Sequence, residues 1–206
     1  WFVAFEEMKA LDLFPVSIYQ SQVEEDESTW LKDRVLDDIL EQSNNVEIPE
    51  NWATNNIKTS WGTTNQVFVD HENSFDPIFS KYLLSQFDRR FVFTLSGELW
   101  FNYYPEGAWQ ELHDHIPSAD VKSHFSCIYY LSYDEEVHTP AQFYDPVAQL
   151  RPHSVSLNGV EDFYSPKVKE GTFLMFPTYL QHRVKPQKAS DTPRVTISFN
   201  VTVDDA

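Results

Sequence analysis

Three histidines in this sequence have the residue type and spacing of a metal-binding set. His113 and His115 end a predicted strand, so their side chains share one face of it and Asp114 points to the other. His182 opens another predicted strand and could supply a third nitrogen ligand. We therefore expect a catalytic metal at these three histidines, with three coordination positions left open as in non-haem Fe(II) sites.

A second group of polar residues predicts an anion site beside the metal. Arg194 opens the last predicted strand and shares a face with Thr196, and the residues that alternate with them are apolar. A buried arginine needs an anionic partner. Three neutral imidazoles leave the charge of Fe(II) uncompensated, so a dianionic cosubstrate is expected. Asn102 and Tyr104 share a face of another predicted strand and could donate to the same anion.

The elements that must position these residues are short strands. From Glu98 onward the apolar runs are short and lack helical periodicity. Eight strands are predicted, at 98–104, 108–115, 124–133, 141–145, 162–168, 171–177, 182–186 and 194–203. In this order, His113 and His115 end the second strand and His182 opens the seventh. The second and seventh strands are neighbours at the open end of a jelly roll.

Two amphipathic helices are predicted before the strands. The first covers 29–42, with Ser28 or Thr29 as its cap. The second follows Ser74 and has Pro77 in its first turn, where proline is accepted.

The combined pattern predicts a mainly β fold, a double-stranded β-helix (jelly roll) with the two N-terminal helices packed on one sheet. An edge strand at 11–19 and a short strand at 66–69 complete the prediction. A single domain is expected over residues 8–206, with 1–7 interpreted as an extension or an addition.

Composition and charge argue against several classes of partner. The chain has 15 Lys and Arg against 32 Asp and Glu, a net charge of −17, which opposes binding to nucleic acids and anionic membranes. No apolar run approaches the roughly 20 residues of a membrane-spanning helix. The single cysteine, Cys127, cannot form an intrachain disulfide and fits a reducing compartment, so a cytoplasmic location is expected.

The other histidines carry no site prediction, because a lone histidine is more often a hydrogen-bonded structural residue. His71, His138 and His153 lie in polar loop contexts and are expected at the surface. His124 begins a strand and is left open.

Six segments carry a resemblance to a known family. They are LFPVSIY, WFNYYPEGAWQELHDHIPS, FSCIYYL, FYDP, GTFLMFPTYLQHRV and RVTISFNV. These segments are similar to the 2-oxoglutarate/Fe(II)-dependent oxygenases, and in particular to those of phages, cyanophages among them, and of marine bacteria. A phage-encoded protein of this kind would act in the host cytoplasm.

The resemblance implies Fe(II), 2-oxoglutarate and O2 as cofactor and cosubstrates, with ascorbate as a stimulant. It implies Fe(II) binding by the three histidines and 2-oxoglutarate binding by Arg194, with Thr196 where the family has a serine. The implied reaction hydroxylates an unidentified peptidyl residue or small metabolite and releases succinate and CO2. Two departures stand out: His115 occupies a position where the family commonly has Asp, and the segment 116–124 is longer than expected.

Two other interpretations stay open at this point. The spacings Gly107 to His113 and Gly171 to His182 also resemble the two cupin motifs, with Asp120 at the place of a glutamate, and a cupin would bind metal without 2-oxoglutarate. The chain could also be a non-catalytic jelly-roll structural or virion protein. Arg194 favours the oxygenase over both, and a homodimer through a sheet edge is also open.

Overall fold

The computed structural model describes residues 16–50, 52–63, 65–85, 91–95, 98–116, 123–148 and 162–205. These ranges contain the helices α1 Glu25–Ser43, α2 Gln66–Asp70 and α3 Glu72–Leu84. The strands are β1 Tyr19–Gln22, β2 Lys58–Thr59, β3 Phe91–Leu95, β4 Trp100–Tyr104, β5 Gln110–His113, β6 Phe125–Ser132, β7 Ala141–Tyr144, β8 Phe163–Tyr164, β9 Thr172–Pro177, β10 His182–Val184 and β11 Arg194–Asp205. No helix in this part of the chain is long and apolar enough to cross a membrane.

The strands form two antiparallel sheets. The larger sheet has the order β1-β9-β6-β11-β4-β2, and β3 pairs with the C-terminal part of β11. The smaller sheet has the order β5-β10-β7-β8. The predicted mainly β architecture is therefore confirmed, and it is consistent with the jelly-roll fold.

Strand β11 divides the larger sheet into an apolar face and a polar face. Its side chains alternate, so Val195, Ile197 and Phe199 lie on one side and are at most 1% exposed. They pack in one core cluster with residues of α1 and α3, including Leu31 and Phe79. The helices are thus held on the sheet by burial of apolar side chains from both partners.

A second apolar cluster fills the space between the two sheets. It joins Ile128 and Phe176 of the larger sheet to Phe143 of the smaller one. Phe143 and Phe176 meet edge-on with their ring centroids 4.8 Å apart. The cluster fixes the distance between the sheets, and the polar face of β11 opens beside it.

Helix α1 begins earlier than predicted, at Glu25 rather than at 29. Glu25 and its two acidic neighbours in the first turn interact favourably with the helix dipole. The Tyr82 hydroxyl accepts a hydrogen bond from the backbone N–H of Glu24 at 2.8 Å. Ser28 therefore does not cap the helix; it is buried, and its hydroxyl lies 2.9 Å from that of Tyr129.

The strand predicted at 66–69 is wrong, because the segment forms helix α2. Val67 and Phe68 are buried there in the cluster that contains α1, so tertiary packing decided the local structure. His71 separates α2 from α3, and α3 starts at Glu72. Because of this early start, Pro77 lies inside the helix rather than in its first turn.

The eight strands predicted from residue 98 onward are all present. Seven have shorter bounds than predicted, and the last, β11, extends two residues further, to Asp205. Strands β2 and β3 were missed. The strand predicted at 11–19 overlaps the observed β1 only at Tyr19, because 16–18 precede the strand and β1 continues to Gln22. The first five residues of the prediction lie outside the described ranges. The segment 117–122, Asp120 included, and His153 also lie outside them.

Candidate active site

The three histidines meet where the two strands of the smaller sheet that carry them pair. His113 ends β5 and His182 begins β10, and the two residues are direct partners in the antiparallel ladder. His115 follows two residues later, held by a hydrogen bond from its backbone N–H to Thr178 O at 2.8 Å. One potential ligand atom from each imidazole lies within 4.8 Å of the others.

Each imidazole is oriented by an oxygen acceptor at its Nδ1 atom. His113 Nδ1 lies 2.8 Å from Glu111 O, and His182 Nδ1 lies 3.1 Å from Leu180 O. His115 Nδ1 lies 3.0 Å from Asn200 Oδ1. Because these oxygens can only accept, the proton sits on Nδ1 in all three rings. The Nε2 lone pairs are therefore left free for a metal.

Burial keeps these rings neutral. Desolvation lowers the pKa of His113, lowers the pKa of His115 to about 4, and lowers the pKa of His182 well below its usual range. The mutual proximity of the rings acts in the same direction on His115 and His182. A neutral imidazole is the form that binds a metal, so the site needs no deprotonation step near neutral pH.

A bulge in β5 brings one more side chain to the same cavity. Val184 pairs with Gln110 while His182 pairs with His113, so two residues of β5 oppose a single residue of β10. Gln110 therefore lines the cavity together with His113, which simple alternation would not give. Its Oε1 accepts a hydrogen bond from the Tyr104 hydroxyl at 2.8 Å.

Arg194 lies in the interior, with only 2% of its surface exposed. Its guanidinium carbon is 4.1 Å from the ring centroid of Tyr104, and its Nε donates to Thr139 O at 3.1 Å. Its Nη1 atom is buried and has no hydrogen-bond partner among the described residues. An unpaired buried guanidinium nitrogen is unfavourable, so the structure offers a place for an anion here.

Strand pairing places the other predicted residues beside Arg194. In the ladder between β11 and β4, Arg194 lies opposite Tyr104 and Thr196 lies opposite Asn102. Asn102 donates to Ser198 Oγ at 3.4 Å, and its Oδ1 is buried without a partner among the described residues. Burial raises the pKa of Tyr104 to about 12, so its phenol stays a hydrogen-bond donor.

All seven predicted site residues line one cavity of about 600 Å³. The cavity therefore brings the histidine set and the Arg194 group together. Its described lining residues are Trp52, Trp61, Trp100, Asn102, Tyr104, Gln110, Glu111, His113, Asp114, His115, Ile116, Ser123, Ile128, Tyr130, Ala141, His182, Val184, Arg194, Thr196, Ser198 and Asn200.

Several residues of the cavity and its support were not predicted. Trp52 and Trp61 come from the segment interpreted as a loop, and Glu111 gave no signal beyond its place near the predicted ligand His113. Asn200 also lines the cavity and was not predicted. His138 was expected at the surface but is 6% exposed, because its ring packs on Tyr133 and its Nδ1 accepts from the Asp134 N–H. Of these, Asn200 could have been found, because it continues the polar face of β11.

The three histidines fit an iron ion, and Arg194 fits a carboxylate of a bound dianion. Three neutral imidazole nitrogens suit Fe(II), although they also suit other divalent metals such as zinc. Asp114 adds no ligand to the histidine set, because its Oδ1 accepts from the Ile116 N–H and its Oδ2 from Gln181 Nε2 at 3.5 Å. The unpaired Nη1 of Arg194 calls for an anion in the same cavity.

The fold is similar to those of solved structures. A prolyl-4-hydroxylase from Pseudomonas putida is 15% identical with a TM-score of 0.55, covering 90% of this chain and 92% of that one. A prolyl hydroxylase from Trichoplax adhaerens, in complex with a hypoxia inducible factor peptide fragment, is 15% identical with a TM-score of 0.56, covering 89% and 82%. At such identities the likeness concerns the fold alone. No curated protein sequence matches the chain.

The family model described as "Putative 2OG-Fe(II) oxygenase" matches residues 98–200, half of the 206-residue chain. That segment contains the strands of both sheets that line the cavity. It also contains all seven residues of the predicted site. Because the family model matches half of the chain, the chain belongs to the 2-oxoglutarate/Fe(II)-dependent oxygenases.

Proposed function

We propose that this protein is an Fe(II)/2-oxoglutarate-dependent dioxygenase that hydroxylates a peptidyl residue or a small metabolite and releases succinate and CO2. The observation that carries the proposal is one cavity that holds both groups. Its three imidazoles have Nε2 atoms available for a metal, and its buried arginine has an Nη1 atom without a hydrogen-bond partner among the described residues. A metal site alone would not need the arginine, and a structural protein would need neither.

His113, His115 and His182 would hold the iron through Nε2. When bound, Fe(II) and 2-oxoglutarate supply the activation of dioxygen, in which 2-oxoglutarate is oxidised to succinate and CO2 and the second oxygen atom enters a C–H bond of the substrate. The backbone and side-chain acceptors at Nδ1 fix the three rings, so the protein presents the nitrogens without reorganisation.

Arg194 would bind the distal carboxylate of 2-oxoglutarate through its free Nη1. Tyr104 lies under the guanidinium and keeps it in place, while Thr139 O accepts from Nε on the other side. Thr196 and Asn102 border the same space and are 3% and 4% exposed, so they would donate to the anion out of contact with water.

The charge balance of the site supports a dianionic cosubstrate. Three neutral histidines give the iron no anionic ligand, and His115 stands where a carboxylate ligand is common in this family. Arg194 adds a third positive charge in the same cavity. A dianion that spans the metal and the arginine neutralises most of this charge in a desolvated space.

The finer assignments are part of the same proposal. The two antiparallel sheets and the packing of α1 and α3 on the larger one support a double-stranded β-helix in a single domain over 8–206. A peptidyl residue or a small metabolite as the substrate stays a prediction from the sequence. The phage and marine-bacterial branch, the cytoplasmic location, the stimulation by ascorbate and a homodimer stay predictions from the sequence.

The deciding experiment measures succinate formed by the purified protein with Fe(II), ascorbate and 2-oxoglutarate in the absence of added substrate. Arg194→Ala should lower the affinity for 2-oxoglutarate by at least about tenfold, because a charged hydrogen-bond partner is removed, and should leave iron binding largely intact. Arg183→Ala is the matched control, since Arg183 does not line the cavity and its guanidinium stacks 3.7 Å from the ring centroid of Phe163.

Three results would contradict the proposal. If Arg194→Ala lost affinity for iron as strongly as affinity for 2-oxoglutarate, Arg194 would not be a specific 2-oxoglutarate-binding residue. Absence of succinate together with tight binding of another divalent metal would favour the cupin interpretation. Failure to hold any metal would favour the structural or virion protein.

A further inference from the structure

Three indole rings extend from the histidines toward the solvent. Trp52 stacks beside His113, with centroids 6.5 Å apart and an interplanar angle of 26°. Trp100 lies 5.7 Å from His115, and Trp61 meets Trp100 edge-on at 4.6 Å. Trp61 is 42% exposed, so Trp100 and Trp61 lead from His115 to the mouth of the cavity, while Trp52 lies beside His113.

The charged side chains near the histidines are acidic. Glu111 and Asp114 both line the cavity, and the one basic side chain among the described lining residues is Arg194. Arg194 is 2% exposed and is assigned above to the cosubstrate. The part of the cavity left for a substrate therefore combines aromatic faces with negative charge.

Glu111 has a carboxylate oxygen without a hydrogen-bond donor among the described residues. Its Oε2 atom is buried and has no hydrogen-bond partner among the described residues, although the residue lines the cavity. A carboxylate oxygen enclosed without a donor is unfavourable, and a neutral apolar ligand would make its desolvation more complete. A cationic donor would remove the penalty.

We propose that the substrate carries an ammonium or guanidinium cation, bound between the Glu111 carboxylate and the indole surface of Trp52, Trp61 and Trp100. This inference rests on the proposed oxygenase function for the reaction, but the binding site itself stands on its own contacts. Aromatic faces attract cations through the ring quadrupole, and the half-buried Glu111 carboxylate supplies a charged hydrogen bond. The net charge of −17 favours the approach of a cation.

The test compares ligands that differ only in charge. Nα-acetyl-L-lysine N-methylamide and its norleucine analogue, which lacks only the ammonium group, are titrated calorimetrically into the protein loaded with Fe(II) and 2-oxoglutarate under anaerobic conditions. The lysine derivative should bind at least about tenfold more tightly, the value of one charged hydrogen bond in a desolvated site. Equal binding of the norleucine derivative, or tighter binding of a proline derivative, would overturn the proposal.

Free n-butylamine, titrated in the same way, distinguishes a small amine from a peptidyl side chain. Tighter binding of n-butylamine than of n-butanol supports the cation site and points to a small metabolite. A preference for the lysine derivative over n-butylamine supports the cation site and points to a peptidyl side chain. Equal binding of n-butylamine and n-butanol, with no preference for lysine over norleucine, counts against the site.

Variants locate the preference within the cavity. Glu111→Gln should lower the lysine-to-norleucine preference by about tenfold, and Trp61→Leu, at an exposed position where folding is not at risk, by about threefold. Glu136→Gln removes the same charge from an exposed position outside the cavity and should leave the preference unchanged. If Glu136→Gln lowered the lysine-to-norleucine preference as strongly as Glu111→Gln, the preference would arise from the long-range charge of the protein, and the proposed cation site would be wrong.

Two readouts separate this proposal from the oxygenase function. Succinate formation without substrate tests the oxygenase, whereas the calorimetric preference tests the cation site. A Glu111-dependent preference without any succinate would support the cation site and contradict the oxygenase. A loss of iron affinity in Glu111→Gln with no change in preference would assign the carboxylate to the metal and overturn the cation site.

Discussion

The two faces of strand β11 differ in what their side chains can contribute. On the helix side, Ile197 and Phe199 are packed among apolar neighbours and their role is burial. On the cavity side, Arg194 and Asn200 are equally enclosed, but they hold polar groups that face the site. One strand thus carries stability on one face and ligand binding on the other, and the two should respond to substitution independently.

The largest expected effect concerns the metal site that the cavity face of β11 borders. His182→Ala should abolish stoichiometric iron binding, because two imidazoles with no carboxylate make a weak site for Fe(II). Folding should be retained, with a change in the free energy of unfolding within about 2 kcal/mol. Iron content after dialysis measures the effect.

The control for this variant is His124→Ala, which removes an exposed histidine outside the cavity. It should leave the iron content unchanged. Retention of one iron per chain by His182→Ala would refute the three-histidine assignment.

The second prediction tests the helix side of β11. Phe199 stacks on Phe79 with centroids 5.1 Å apart and contacts Phe173 at 6.0 Å. Phe199→Ala should lower the free energy of unfolding by about 3–5 kcal/mol, because a buried ring is replaced by a cavity. Urea denaturation measures it, and the fraction that stays folded should bind iron normally. Weakened iron binding in that folded fraction would show that the two faces are coupled.

The third prediction returns to the cavity face. Asn200 Oδ1 accepts from the His115 imidazole at 3.0 Å and from Ser126 Oγ at 2.8 Å. Asn200→Leu keeps the volume but removes the acceptor, so iron affinity should fall by about 10–100-fold. Asn200→Asp retains an acceptor and should keep more of the affinity. Competition with a chelator measures both, and equal affinities in the two variants would contradict a positioning role.

The contrast between the faces of β11 could be predicted because strand alternation is local. The apolar positions 195, 197 and 199 predicted the helix-side core, and the polar positions between them predicted the cavity side. The grouping of the three histidines followed from strand order alone. Their roles as ligands, and those of Arg194 and Thr196 as cosubstrate contacts, stay predictions.

Two features could not be predicted from the sequence, helix α2 and the bulge in β5, because both depend on contacts with residues distant in the chain. Helix α2 forms at 66–70 because Val67 and Phe68 meet α1, although the short apolar run suits a strand equally well. The bulge that turns Gln110 inward depends on its pairing with Val184, and a bulge leaves no clear mark in a single sequence.

The smallest expected effects come from two conservative substitutions, one on each face of β11, so they compare the two faces most directly. Thr196→Val replaces a hydroxyl by a methyl group on the cavity side, and should raise the half-saturating concentration of 2-oxoglutarate by about fivefold, because one hydrogen bond from an uncharged donor is lost. Ile197→Val removes one methyl group on the helix side and should lower the free energy of unfolding by about 0.5–1.5 kcal/mol without changing 2-oxoglutarate binding. Succinate kinetics should therefore change in Thr196→Val alone, and the free energy of unfolding measured in urea should change mainly in Ile197→Val. If Thr196→Val instead lowered stability and left 2-oxoglutarate binding unchanged, its hydroxyl would belong to the packing of the sheet, and the cosubstrate site would have to be drawn around Arg194 and Tyr104 alone.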